Sequence, residues 1–211
     1  ISFAQLDGVA VALGPGSFNG VRVALATAKT LAFALNIPLY GVPTLDVAAW
    51  GARLSPDPIW SLLDAGRGEV YAARYQPKVA ASTWAPQPLT SDDESHGSAS
   101  GYLILAPADL AARISGAALF TGEWREVTRE ALTATLGERA RFTSPLAARR
   151  GAWLAELALA RAASGAADDP RALEPLYLRR PAITSSKRPV ATPAGMATSE
   201  RTGGEEAAHA L

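Results

Sequence analysis

Cysteine is absent from the 211 residues, and there are only two histidines and one methionine. No disulfide framework is therefore available, which is consistent with a reducing compartment. No thiolate can ligate a metal either. Net charge is missing as well, with 20 basic and 20 acidic residues. That balance argues against strong nonspecific binding to nucleic acid or anionic membrane. No apolar run approaches the roughly 20 residues a bilayer span needs, and no secretory leader is visible. A chain of this size can bury roughly 70% of its unfolded surface, so it needs no cross-link or metal to hold a core.

What is present is concentrated near the start. Gly14-Pro15-Gly16-Ser17-Phe18-Asn19-Gly20-Val21-Arg22 lies between an apolar run, Val9 to Leu13, and a long alanine-rich stretch. The first reads as a buried strand and the second as a helix from about Val21 to Leu35, with Asn36 as its stop. Pro38 to Val42 reads as a second strand. Thr44 is expected to cap a helix over Leu45 to Leu54. Strand, helix, strand, helix favours a parallel α/β sheet.

Ser55-Pro56-Asp57-Pro58 marks a boundary, after which the pattern changes. Ile59 to Asp64 and Glu69 to Tyr75, joined by Ala65-Gly66-Arg67-Gly68, predict a β-hairpin. Residues 77–101, rich in Pro, Ser, Asp and Gly, read as an exposed mobile loop. Short elements follow: a strand at Tyr102 to Leu105, a helix at Pro107 to Ile114 and a strand at Ala118 to Thr121. Ser144 and Pro145 then open a long helix that ends near Gly165. Leu176 to Leu178 is a last apolar segment. From Pro181 onward the composition predicts a disordered tail. The chain opens on Ile1 rather than Met, almost directly on a strand, and is expected to continue upstream.

The glycine junction admits several chemistries, and most fail on spacing. A phosphate-binding Walker loop requires a second glycine followed by lysine, but Asn19 occupies the glycine position and no lysine follows. A dinucleotide fingerprint fits poorly: the third glycine comes one residue late, at Gly20, and no carboxylate ends the next strand. Two readings stand. One is a tight turn, with Ser17 or Asn19 capping the helix. The other is an interface, in which Ala24, Ala28 and Ala32 let a partner helix approach closely. Arg22 and Lys29, seven residues apart, share one face. They either touch a partner's carboxylates or a phosphate group, or form a solvated stripe.

Taken together, GPGSFNGVRVALATAKTLAFALNIPLYGVPTLDVAA closely resembles the signature region of the TsaB (YeaZ) family. LLDAGRGEVYAARY resembles that family's hairpin, carried by Asp64, Gly68, Glu69 and Tyr71. LEPLYLRRP resembles its closing segment. The resemblance implies an α/β fold of the actin-like, Hsp70-like ATPase type, built from ribonuclease H-like lobes. On that reading, 1–56 is the remainder of an N-terminal lobe shortened at its start, 57–180 a C-terminal lobe and 181–211 the tail.

The resemblance also implies function: a non-catalytic dimerisation subunit of the cytoplasmic bacterial complex that forms N6-threonylcarbamoyladenosine at position 37 of tRNA. Expected partners are a TsaD-like catalytic paralogue, a TsaE-like ATPase and a second copy of the chain, with tRNA engaged indirectly and no membrane. ATP or ADP and metal are expected in those partners, with no cofactor, metal site or catalytic residue in this chain. The expected partner interface is Gly16, Ser17, Phe18, Gly20, Arg22, Ala24, Ala28 and Lys29, with Gly14, Pro15 and Asn19 shaping the turn and cap.

His96 and His209 do not form the His-x-x-x-His pair of the catalytic paralogues, and read as solvated loop and tail residues. Asp64 is expected to bond turn amides, and Glu69 to pair with an arginine such as Arg67. Arg179 and Arg180 border the tail, as docking residues or a plain solvated terminus. The five tryptophans read as packing residues. Two alternatives stay open: a metal- or nucleotide-dependent, glycoprotease-like enzyme of the same superfamily, or a degenerate truncated remnant.

Overall fold

In a computed structural model, the described residues are 2–87, 101–144 and 151–179. The described residues all belong to one compact unit. His96, His209, Arg180, most of the loop between the hairpin and Tyr102, the first turn of the long helix and the tail lie outside the described residues.

The first half follows the expected alternation. Strand β1 (Val9–Ala12) leads through the glycine junction into α1 (Phe18–Leu35), then β2 (Leu39–Val42) and α2 (Thr44–Trp50). Strands β1 and β2 pair in parallel, Val9 opposite Leu39 and Ala12 opposite Val42. Helix α1 stops at Asn36, which takes the left-handed conformation at φ 52°, a conformation asparagine tolerates better than most residues. Helix α2 is shorter than its sequence pattern predicts. Its cap is Pro43, and Thr44 is its first helical residue.

The hairpin of β3 (Ile59–Gly66) and β4 (Glu69–Tyr75) begins a five-stranded sheet. It continues with β5 (Tyr102–Leu105), α3 (Pro107–Ala112), β6 (Ala118–Glu123), α4 (Glu126–Leu136) and β7 (Ala140–Phe142), and α5 (Gly151–Ala163) closes the order. The strand order is β5-β4-β3-β6-β7. β3, β4 and β5 form an antiparallel meander, while β6 and β7 add in parallel on the other side. Parallel addition requires crossovers, and α3 and α4 provide them. Both faces of this sheet are covered, so its strands alternate between two cores rather than between core and water. Ile59 and Leu63 face one core with α2 and α5; Trp60 and Leu62 face the other with Leu110, Leu132 and Leu136.

The first of these cores also contains Tyr40 and Val42 of β2, so it draws on chain from both sides of residue 56. A third, smaller cluster joins Leu25, Ala28 and Ala32 of α1 to Val11 and Leu39 of the small sheet. Trp50, Trp60 and Trp84 are buried. Trp84 corrects the exposed-loop expectation for its neighbourhood: its ring stacks on Tyr75 at 5.1 Å and meets Trp50 edge-on at 5.0 Å. Among the described residues, no helix is long and apolar enough to cross a membrane.

Candidate partner interface around the glycine junction

The junction is fastened on three sides. Leu13 N–H donates to Val42 O at 2.9 Å, Thr44 N–H to Gly14 O at 2.7 Å, and Leu176 N–H to Leu13 O at 2.8 Å. Gly14 has φ +96°, and a Cβ there would lie 3.3 Å from Leu176 O. The positive φ favours glycine at this position, and a Cβ would crowd Leu176 O. Gly14 and Pro15 are buried, while Gly16 to Gly20 are exposed. Ser17 is the cap, its Oγ accepting from Gly20 N–H at 3.4 Å. Asn19 is neither cap nor turn residue: it occupies the second position of the helix, because α1 starts at Phe18 rather than Val21. Beside this start, the Phe18 ring lies 5.5 Å from Tyr177 and 5.1 Å from the Arg22 guanidinium. Tyr177 is a neighbour that spacing alone did not indicate, since it arrives from the far end of the compact unit.

Helix α1 is lopsided. Its buried residues are Leu25, Ala28 and Ala32. Ala28, expected at the partner interface, is only 5% exposed and packs on the small sheet. Small residues allow close approach of a sheet as readily as of a helix, and here the sheet takes them. The opposite face, at 100° per residue, carries Val23, Ala26, Thr27, Thr30 and Ala34, with Phe33 beside it. All six are exposed, Phe33 at 82% and Val23 at 66%. No residue on this face is charged. Ala24 flanks it on one side, and exposed Arg22 and half-buried Lys29 on the other.

The hairpin residues have structural partners. Arg67 and Gly68 turn the chain with φ of 57° and 81°, the two positive values that a tight type I′ connection needs. Asp64 Oδ1 accepts from Gly66 N–H at 2.9 Å, and Oδ2 meets Arg125 Nε at 3.1 Å. Glu69 pairs with Arg179 rather than with Arg67. Arg179 Nη1 also donates to Ala65 O at 3.0 Å. Arg179 therefore ties the closing segment to the hairpin. Tyr71 sits half-buried on β4, opposite Leu63 and Ile104.

Two further arrangements have little sequence signal. Asp168 Oδ2 accepts from Gly41 N–H at 2.7 Å, and both Asp168 oxygens take Arg161 at 2.9 Å. Arg161 also donates to Gly41 O and Ala166 O. This pair satisfies the outer edge of β2. Asp46 is the second case: it is 7% exposed, and its Oδ1 accepts from Tyr75 Oη at 2.7 Å and Tyr102 Oη at 2.6 Å. Trp84 Nε1–H donates to its backbone carbonyl at 3.2 Å. Burial pushes the Asp46 carboxyl up to about 6, and the hydrogen bonds from Tyr102, Tyr75 and its own backbone N–H partly oppose this. Burial and the facing carboxylate push both tyrosines upward. A first-turn aspartate normally signals only a helix start; its burial is decided by aromatic residues far along the chain.

Known proteins resemble this arrangement at two levels. YeaZ from Pseudomonas aeruginosa has a solved structure that superposes with a TM-score of 0.59 at 22% identity, over 83% of this chain and 76% of that one. With the meander and two parallel additions, the fold is of the α/β actin-like class. The family described as "TsaD: tRNA N6-adenosine threonylcarbamoyltransferase" matches residues 1–88. The "tRNA threonylcarbamoyladenosine biosynthesis protein TsaB" of Bacillus subtilis (strain 168) is 44% identical over 74 residues, 35% of this chain and 32% of that protein. Its namesake in Escherichia coli (strain K12) is 39% identical over 77 residues, 36% and 33% of the two chains. Over its first third or so the chain is similar to proteins named TsaB, and its fold is that of YeaZ. The matched stretch spans about a third of the length of these curated relatives.

Proposed function

We propose that this chain is a non-catalytic subunit in the biosynthesis of tRNA threonylcarbamoyladenosine, and that it works by binding a TsaD-like catalytic partner through the outer face of α1. The observation that carries the reading is the uncharged face of Val23, Ala26, Thr27, Thr30 and Ala34, with Phe33 beside it, exposed next to the family's signature junction. Contiguous apolar surface of this kind marks interaction sites more often than solvated ones. The names of the TsaB relatives support the pathway. A TsaE-like ATPase, indirect tRNA contact and self-association belong to the same reading.

The junction supplies the alignment. Gly14, held by Thr44, and Leu13, held by Val42 and Leu176, fix where α1 leaves the sheet, and the Phe18–Tyr177 contact ends the exposed face at the N-terminus of the helix. The test is co-purification of the full chain with the TsaD-like protein from the same genome. The wild-type chain is expected to hold the partner, and Val23→Arg with Thr27→Arg to release it while circular dichroism stays unchanged. Undiminished binding by the folded double variant overturns the interface.

A further inference from the structure

Asp46 supports an inference independent of the α1 interface. Its Oδ1 is used by two tyrosines. Its Oδ2 takes no hydrogen bond from another described residue, the carboxylate's one further contact being its own backbone N–H, and Ser61 Oγ is the one sealed side-chain polar atom without a partner among the described residues. Asp46 lines a cavity of about 310 Å³ between the end of β2, the turn at Ala81–Thr83 and α5. Ser82, Trp84, Leu157, Arg161 and Ser164 line it with Asp46.

The charge of this cavity is set by one group. Arg161 is the cation on its wall, but its guanidinium is already committed to both oxygens of Asp168 and to two backbone carbonyls. That pair is internally neutral, which leaves the Asp46 carboxylate uncompensated among the described residues. Buried carboxylates ordinarily have a cationic partner, and Tyr75 and Tyr102 supply only neutral hydroxyls. The geometry points to a binding site for a small primary alkylammonium compound, whose ammonium donates to Asp46 Oδ2 while its chain lies against Trp84 and Leu157. Such a group offers three donors to the free carboxylate oxygen and the serine hydroxyls, and an indole wall suits a cation. The volume sits at the lower end of the range of small-molecule sites.

The titratable groups facing Asp46 are Tyr75 on β4 and Tyr102 on β5, with the neutralised Arg161 on α5 across the cavity. Only Asp46 changes charge between mildly acidic and neutral conditions. Binding therefore strengthens as pH rises from mildly acidic to neutral.

The experiment titrates the full chain near neutral pH with n-butylammonium chloride and follows the Trp84 indole N–H by NMR, with n-butanol and matched sodium chloride as controls. The expected result is a saturable shift with the amine alone. Asp46→Asn keeps an acceptor for the tyrosines and is expected to lose roughly tenfold or more in affinity, as removal of a charged hydrogen-bond partner does. Ser164→Trp, at the exposed rim, fills the cavity without touching Asp46 and is expected to block the shift even if the Asp46 variant fails to fold. An equal response to butanol, no saturable response to the amine, or full binding by folded Asp46→Asn or Ser164→Trp protein overturns the site.

Discussion

Helices α1 and α4 both lie on the outside of a sheet, and they finish their outer surfaces differently. α4 buries Thr128, Leu132 and Leu136 and turns Glu126, Arg129 and Glu130 to water. That is an ordinary surface helix, with an apolar stripe inward and charges outward. α1 buries a similar stripe of Leu25, Ala28 and Ala32, but its outer face is Val23, Ala26, Thr27, Thr30 and Ala34. The two helices face their own sheets in the same way, so packing does not distinguish them. The outward residues do: α4 turns charges to water, while α1 turns out an uncharged face, the one proposed above for a partner.

The largest perturbation tests which side of α1 is which. Ala28→Arg puts a charge against β1 and β2, and is expected to cost upwards of about 4 kcal/mol and unfold the compact unit, since an unpaired buried charge and overpacking act together. Loss of the cooperative transition on heating is the readout. A merely weakened partner contact with normal stability contradicts the inward assignment of Ala28.

A pH scan separates core from interface next. Asp46 has a folded value of about 6, against an ordinary aspartate value near 3.9. As pH rises, the unfolded chain releases this proton first, so the contribution of Asp46 is most favourable below about pH 4 and is lost as pH climbs to about 6. The loss amounts to roughly 3 kcal/mol and is absent in Asp46→Asn. Urea melts of both proteins across this range are expected to diverge steadily in favour of the variant. The outer face of α1 has no ionisable group, so partner affinity through it stays flat over the same scan.

Gly14→Ala is smaller, at about 1–3 kcal/mol, because it strains a positive-φ position and crowds Leu176 O. It also shifts the start of α1, so it is expected to weaken both stability and partner binding. Thermal melts and pull-downs on one preparation check this. Thr133→Arg on α4 sits at the bottom of the scale, with no more than about 0.5 kcal/mol expected and no change in binding.

The sequence showed the alternation of β1, α1 and β2 because Gly14-Pro15-Gly16 and Asn36 punctuate it, and it showed the hairpin because Gly66-Arg67-Gly68 interrupts two β-rich runs. It did not show which alanines of α1 point inward. Ala24, Ala28 and Ala32 recur every four residues whether a sheet or a partner helix lies against them, and only the small sheet beneath Ala28 decides. Helix α4 and strand β7 have no counterpart among the predicted elements, although Thr128, Leu132 and Leu136 are spaced for a helix. The two buried arrangements were out of reach for another reason. Asp46 meets Tyr75 and Tyr102, and Asp168 meets Gly41, across separations of 29 to 127 residues. No local pattern encodes contacts of that kind.

We propose that α1, and not α4, has the partner surface. The most direct test is the affinity of the TsaD-like partner for Val23→Arg/Thr27→Arg and for Thr133→Arg, measured side by side by calorimetry on proteins of equal melting temperature. The α1 variant is expected to bind at least about 100-fold more weakly, as loss of a central interface contact does, and the α4 variant as wild type. Equal binding by all three, or weakening by the α4 variant alone, contradicts the account.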